Sequence, residues 1–492
     1  MDVTQEPQWE HVSWRSESPN AYTRPLLGSE LLADQGSVLE DGYGEGCIGL
    51  TFTSTLPDAK VHERLRVAMA HLRFKCPLIA ASLERGIHDS QLRSWVYVPV
   101  KDMRDLQNWL DEVTVVVPEQ TDPTSFMESL SLQRLPYILK DGGQLILRCY
   151  LVQSGNAPDR YTIIFHGVHS IIDAKPTLDA FSLIFKSLAN PGYFPGLGWG
   201  QEWKQLPVGP ITATGGPREG WDTAGVSLFA KLGAAYENPT PSHSLLCKRI
   251  DIAVPGKSVK AEISFSDVET RRITSVLKEH GFSVTHLIEA AHALAIFQLN
   301  PVSIVDAETA HVSYLRNVIS LAKFFAPQYS GKINFVSAFV LIPVSFHWKD
   351  VAAAVDDKAR LLAAMQLDKA QYEEYLANPC LPHLMAQQMQ LAPPRERMFI
   401  GNPLAPILTN PGVIEDRVAP EWFDPSEPGK PPLFKIQDFH IHHRLTAPAP
   451  MGHAWTMNGR LHVQLVATDN WEKAELQAGL DEMKRQILLL VE

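Results

Sequence analysis

The chain has 492 residues, 45% hydrophobic and 20% charged, a globular composition at a length that excludes one ordinary core and suits two or three domains. A formal net charge of -11, with no Lys/Arg cluster to offset it, excludes nucleic acid as a main partner. Five widely spaced cysteines without a CxxC pair exclude a disulfide framework and read as packed free thiols.

Residues 1–46 are polar and then Gly-rich at "DGYGEG", without the apolar region of a signal peptide. "CIGLTFTST" (47–55) alternates like a strand, and "DAKVHERLRVAMAHLRFKC" places Val61, Leu65, Ala68, Met69 and Leu72 at helical spacing. "PLIAASLE" and "SWVYVPV" read as strands and "DMRDLQNWLDEVT" as a short helix. "GGQLILRCYLVQ" and "RYTIIFHGVHS", joined by the turn cluster "SGNAPD", form a hairpin. In "DAKPTLDAFSLIFKSLANPG", Pro176 suits a first helical turn, Leu178, Phe181, Leu183, Ile184 and Leu188 make an apolar face, and "ANPG" stops it.

Residues 190–260 are rich in Gly, Pro and Trp with little periodicity and read as a long crossover. Beyond it, Ser266 to Glu269 fits a capping box and Gly281 a helix stop. "VTHLIEAAHALAIFQ" is apolar nearly all round and reads as a buried helix. "TAHVSYLRNVIS" and "GKINFVSAFVLIPV" read as core strands; the apolar run Phe335 to Val344 is too short to span a bilayer. "AAAVDDKARLLAAMQLDKAQYEEYLA" is helical, "LFKIQDFHIHHR", "GHAWTMNG" and "RLHVQLVATD" are strands, and "WEKAELQAGLDEMKRQILLLVE" is an amphipathic helix. The expectation is an α/β (α+β) protein of two lobes, each a mixed sheet with flanking helices and a ligand-binding cleft between them. The N-terminal lobe takes residues 1–205, a linker 206–260 and the C-terminal lobe 261–492. The chain is expected to be a soluble, cytoplasmic monomer with no membrane span.

The chemistry concentrates in "FHGVHSIIDAKPTL" (165–178). His169 ends a strand and Asp173 opens a helix across a tight turn. A histidine there can present one ring nitrogen to a cleft while the backbone fixes the other, and its ordinary titration range suits a general base. The same residues read equally well as a strand-end histidine beside an N-cap aspartate.

"VHSIIDA" resembles the HxxxD motif of the chloramphenicol-acetyltransferase-like superfamily, which includes BAHD acyltransferases, condensation domains and fungal O-acetyltransferases. "LRVAMAHLRFKCPLIAASLE", "VTHLIEAAHALAIF", "GKINFVSAFVLIPV" and "ILTNPGV" match further segments in order, and "YTRPLLGSE" is most similar to the fungal trichothecene 15-O-acetyltransferase type. The resemblance implies two chloramphenicol-acetyltransferase-like lobes around an active-site tunnel. It implies that His169 takes the proton from an acceptor hydroxyl that attacks an acyl thioester, and that Asp173 holds the loop through an arginine, with Arg24 and Arg316 as candidates. Thr409 and Asn410 would donate hydrogen bonds to the developing oxyanion. It implies no bound cofactor, acetyl-CoA or another acyl-CoA as co-substrate, and a small-molecule alcohol acceptor, a lipophilic secondary metabolite. No nucleophile is offered for a covalent acyl-enzyme, so a sequential reaction is expected.

The motif departs from the common pattern. Val168 stands where many members have a first histidine, and Ala174 stands where they have glycine. "GLGWG" (196–200) lies in the crossover rather than late in the second half, and "QDFHIHH" is a remnant of the late motif of the plant enzymes. An acyl carrier protein in place of free CoA is the first alternative, and a silent homologue that binds a hydrophobic ligand the second. Metal binding by His166, His169 and Asp173 would need a bend, because residues three apart on a strand face opposite ways. Asp438, His440 and His442 share a strand face without a supporting cluster, so no metal is expected. "DGYGEG" runs into a strand, not a helix, and is discounted as a dinucleotide loop; no GxSxG elbow is present.

Overall fold

The computed structural model describes residues 6–13, 20–118, 121–155, 157–192, 196–237, 240–247, 256–331, 335–336, 338–396 and 404–492. At the centre of the first half stands the strand Gly46–Ser54, antiparallel to Arg160–Gly167 on one side and to Phe434–His443 on the other. Leu147–Gln153 and Thr114–Val116 extend the sheet beyond Arg160–Gly167, and Glu421–Trp422 forms the opposite edge. The expected hairpin of Leu147–Gln153 with Arg160–Gly167 is present. Gly46–Ser54 is buried almost throughout, so its alternation does not mark a wet face. Thr51 is accommodated there because its hydroxyl meets Thr162 Oγ1 and His440 Nε2, each at 2.8 Å.

The helices Asp58–Lys75 and Ala174–Ala189 pack on each other against this sheet. The second buries Leu178, Phe181, Ile184, Phe185 and Leu188, each contributing about 1.5–3 kcal/mol. Four strands, Glu10–Val12, Ala21–Pro25, Arg93–Tyr97 and Ser82–Arg85, make a smaller sheet in that order.

In the second half, Val259–Ser264, Arg460–Ala467, Met451–Met457 and Ile407–Val413 form a sheet in that order, with the last pair parallel. His311–Ser320 and Phe339–His347 form a separate antiparallel ribbon. Asp267–His280 carries the expected capping box, Ser266 with Glu269, and ends at Gly281 in the left-handed region. Val284–Leu299 is buried from Leu287 to Phe297, packed between Asp357–Leu376 and Lys473–Leu488. Among the described residues no single helix is long and apolar enough to cross a membrane.

Several elements differ from the sequence-based expectation. "PLIAASLE" is not one strand: Pro77–Ala80 is a 3-10 turn, started by a proline that needs no N–H there, and the strand is Ser82–Arg85. The stretch 1–46 contains the helix Ser29–Leu39. The crossover contains Glu202–Gln205, Pro210–Ala213, Trp221–Gly225 and Val226–Tyr236, although residues 193–195, 238–239 and 248–255 lie outside the described residues. The core strand begins only at Phe339; residues 332–334 and 337 of its expected run are outside the described residues.

Candidate active site

Register assembles the site. Gly167, Gly46 and His443 lie abreast on three neighbouring strands of the first sheet, so the turn after Gly167 and the end of the strand from the second half meet at one edge. The turn folds back tightly, with the N–H groups of Ile171 and Ile172 donating to Val168 O at 3.1 and 3.0 Å. A Cβ at Gly167 would stand 2.8 Å from Ile172 Cγ1, so this turn requires glycine.

His169 sits on that turn, half-buried, with Nδ1 2.6 Å from the carbonyl oxygen of Ile172. A carbonyl only accepts, so Nδ1 carries the proton and Nε2 keeps its lone pair. That is the tautomer a general base needs. Gly44, at a φ of 84°, lies beside the ring, where an added Cβ would stand 3.1 Å from His169 Cδ2.

Asp173 N-caps Ala174–Ala189, its Oδ1 accepting from Ala174 N at 2.7 Å. Burial pushes its carboxyl up, while His169, the Ala174 N–H, Lys175 and Arg417 pull the other way. Of the two arginines expected at Asp173, Arg24 is committed to another carboxylate. Arg24 donates from Nη2 to Glu30 Oε1 at 2.9 Å in a fully buried pair. It bears on the histidine turn indirectly, because Ser170 Oγ donates to Glu30 O at 2.9 Å. Arg316 borders the same cavity as His169 and Asp173 and bonds to the Tyr43 hydroxyl. Arg417, from the second half, holds Asp179 on the same helix as Asp173's cap, at 2.8 and 2.9 Å to its two oxygens.

His169, Asp173 and Arg316 border a cavity of about 190 Å³, room for a small organic group rather than one or two waters. Its lining is mainly apolar, including Leu32, Ile48, Phe339, Leu341, Ile407 and Met451. Polar groups from both halves border it together, among them His169, His443, His453, Thr409 and Asn410. The sequence-based site residues His169, Asp173, Arg316, Thr409 and Asn410 thus converge, and Arg24 stands apart.

Thr409 and His453 face each other across parallel strands, with Oγ1 2.6 Å from Nδ1. Asn410 Nδ2 donates to Thr285 Oγ1 at 3.2 Å, and its Oδ1 accepts from Gly412 N at 2.9 Å. The amide carries two N–H groups, so one can still serve a ligand. His443 Nδ1–H donates to Gly44 O at 3.2 Å, and its ring lies 5.7 Å from His169 and 5.0 Å from His453. Burial, with His169 beside it, pushes His443 down to about 3, while its bond to Gly44 opposes this.

Sequence reasoning missed Gly44, His443 and His453. In "DFHIHHR" the chelating pattern of Asp438, His440 and His442 draws attention to one face, whereas Ile441 and His443 of the other border the cavity and His440 Nε2 meets Thr51 Oγ1. Strand alternation offered both faces, and the odd-numbered one was the signal. His166 does not join His169; it is buried in the core, with Nδ1 bonded to the Tyr137 hydroxyl. Among the described residues no group of three or more His, Cys, Asp or Glu is placed to hold a metal ion. None of the five thiols borders the cavity, and burial pushes those of Cys47, Cys76 and Cys149 up, against thiolate formation.

No family model matches the chain. The TRI3 trichothecene 15-O-acetyltransferase of Fusarium sporotrichioides superposes with a TM-score of 0.78 at 14% identity, covering 98% of each chain. The first condensation domain of the calcium-dependent antibiotic synthetase gives a TM-score of 0.61 at 11% identity, covering 96% of this chain and 97% of that one. The acyl-CoA-dependent acyltransferase MAC2 of Pseudozyma antarctica (strain T-34) is 26% identical over 182 residues. That match spans 36% of this chain and 32% of MAC2. The solved structures show the fold, the two-lobed chloramphenicol-acetyltransferase-like one.

Proposed function

We propose that this chain, which has the chloramphenicol-acetyltransferase-like fold, is an O-acyltransferase that moves an acyl group from a CoA thioester to a hydroxyl of a small lipophilic acceptor. The observation that carries the reading is the hydrogen bond between His169 Nδ1 and the Ile172 carbonyl. The His169 ring borders a cavity walled by both halves. Likeness to TRI3 and MAC2, both named as acyltransferases, supports the reaction class and an acyl-CoA donor. The apolar lining supports a lipophilic acceptor, a terpenoid or polyketide alcohol, and we assign acetyl as the transferred group.

In this reading His169 Nε2 takes the acceptor's hydroxyl proton as the oxygen attacks the thioester carbonyl. The new C–O bond pushes the carbonyl electrons onto oxygen, where Thr409 and the remaining Asn410 N–H donate hydrogen bonds. Collapse of this intermediate breaks the C–S bond, and the departing thiolate recovers the proton from His169. The Ile172 carbonyl accepts from Nδ1–H through both steps and keeps the ring in place. Asp173 also holds the turn by capping the helix behind it.

The test is release of free thiol from acetyl-CoA in the presence of a panel of apolar alcohols, with the acylated alcohol identified by mass. Thiol release that depends on alcohol supports the reading. The condensation-domain likeness favours a second donor, the same acyl group on a carrier protein's phosphopantetheine arm. Transfer from the acylated carrier protein but not from acyl-CoA would select it.

A further inference from the structure

The surroundings of His453 define a role for it. It is 1% exposed and borders the cavity, with Nδ1 2.6 Å from Thr409 Oγ1. Its Nε2 is sealed from solvent and meets no hydrogen-bond partner among the described residues. A neutral imidazole has one N–H and one lone pair. If the proton sat on Nε2, a buried N–H would be orphaned and the Thr409 hydroxyl would be spent donating to Nδ1. Orphaned buried N–H groups are rare in folded proteins. With the proton on Nδ1, the N–H has Thr409 as acceptor and only a lone pair is left unmatched.

This choice has a chemical consequence. When Nδ1–H donates to Thr409 Oγ1, one oxygen lone pair is occupied and the hydroxyl proton stays available to the cavity. We propose that His453 is a positioning residue that holds the Thr409 hydroxyl as a donor to the acyl oxygen. It acts through Thr409 rather than on the substrate. A cation at this position would forfeit nothing as a donor but would add charge to a closed site. Burial and the neighbouring His443, His442, His169 and Lys260 hold His453 neutral. The three imidazoles at the cavity thereby share one pattern: His169 donates from Nδ1 to Ile172 O, His443 to Gly44 O and His453 to Thr409 Oγ1.

The proposal rests on the acyltransferase reading for its consequence, but not for the tautomer. Two measurements keep these apart. In the full chain labelled with ¹⁵N-histidine, with His453→Asn used to assign the signal, NMR at neutral pH should show the Nδ1–H tautomer at His453. The Nε2–H tautomer would overturn the proposal even if the enzyme proves fully active. In steady-state CoA release, Thr409→Val should lower kcat about 10²–10³-fold. His453→Leu should lower kcat in the same direction with KM for the donor nearly unchanged. The double variant should be no slower than Thr409→Val alone, because both lesions remove one hydrogen bond. His453→Asn, whose amide nitrogen can reach the Nδ1 position, should recover most of the rate and guards against misfolding of the leucine variant. Losses that multiply in the double variant would contradict action through Thr409. If the wild type releases no CoA with any donor, the functional reading fails while the NMR result still decides the tautomer.

Discussion

Gly44 and His169 are in contact so close that a Cβ on the glycine would stand 3.1 Å from His169 Cδ2. The glycine's φ of 84° already disfavours any other residue. Gly44 also accepts from His443 Nδ1 and donates its N–H to Arg444 O at 2.9 Å, so it is fixed to the strand end that carries His443.

Gly44→Ala is therefore expected to fold and to lose turnover. The added methyl must push the His169 ring, and a displacement near 1 Å can cost about 10²-fold in rate. Turnover and melting temperature on the same preparation check this. Wild-type kcat in the alanine variant would show that the contact does not fix the base.

Arg24 and Glu30 form a fully buried ion pair whose carboxylate also accepts from Leu27 N at 3.0 Å and Trp95 Nε1 at 3.2 Å. Removing one charge strands the other, at a typical cost of about 3–5 kcal/mol. Arg24→Met should lower unfolding free energy by that order in a urea titration. It should also slow transfer, because Glu30 O anchors Ser170 beside the base. A loss well under 1 kcal/mol would contradict this account of the pair.

Glu289 and Asp368 are buried carboxyls on neighbouring helices of the second half. Burial pushes Glu289 up to about 8 against hydrogen bonds from Tyr372 and Asn317, and burial with the Glu289 charge raises Asp368 well above its usual range. The folded state then keeps protons that the unfolded chain releases near pH 4. Stability from this pair is full below that point, falls as pH rises and is lost beyond about pH 8. Asp368→Asn should flatten the decline between pH 5 and 9 and raise the melting temperature at the alkaline end. An unchanged slope in thermal melts across that range would refute the assignment.

Much of the first lobe's site was legible because its residues are contiguous. The apolar strand, His169, Asp173 and Pro176 fall within one short stretch, and local rules for strand ends and helix caps suffice to place them. His443 and His453 belong to strands of two different sheets, and nothing local says that the chain crosses between them over residues 444–450. The helix Ser29–Leu39 escaped notice because its buried side is polar. Glu30 pairs with Arg24, Asp34 with Arg93, and Ser37 with Glu45, so no apolar stripe is needed. Pairing between distant residues satisfies that face, and a periodicity rule cannot see it. The resemblance offers Arg24 as a candidate partner for Asp173, but its partner is Glu30, six residues on in a helix that the pattern does not reveal.

The central claim is that His169 is the base for acyl transfer, and its removal tests this most directly. Purified wild type and His169→Ala should be compared for CoA release with the same acyl donor and alcohol, alongside their melting curves. The account predicts a folded variant whose rate is lower by about 10²–10⁴-fold. A folded His169→Ala protein that turns over at the wild-type rate would contradict it.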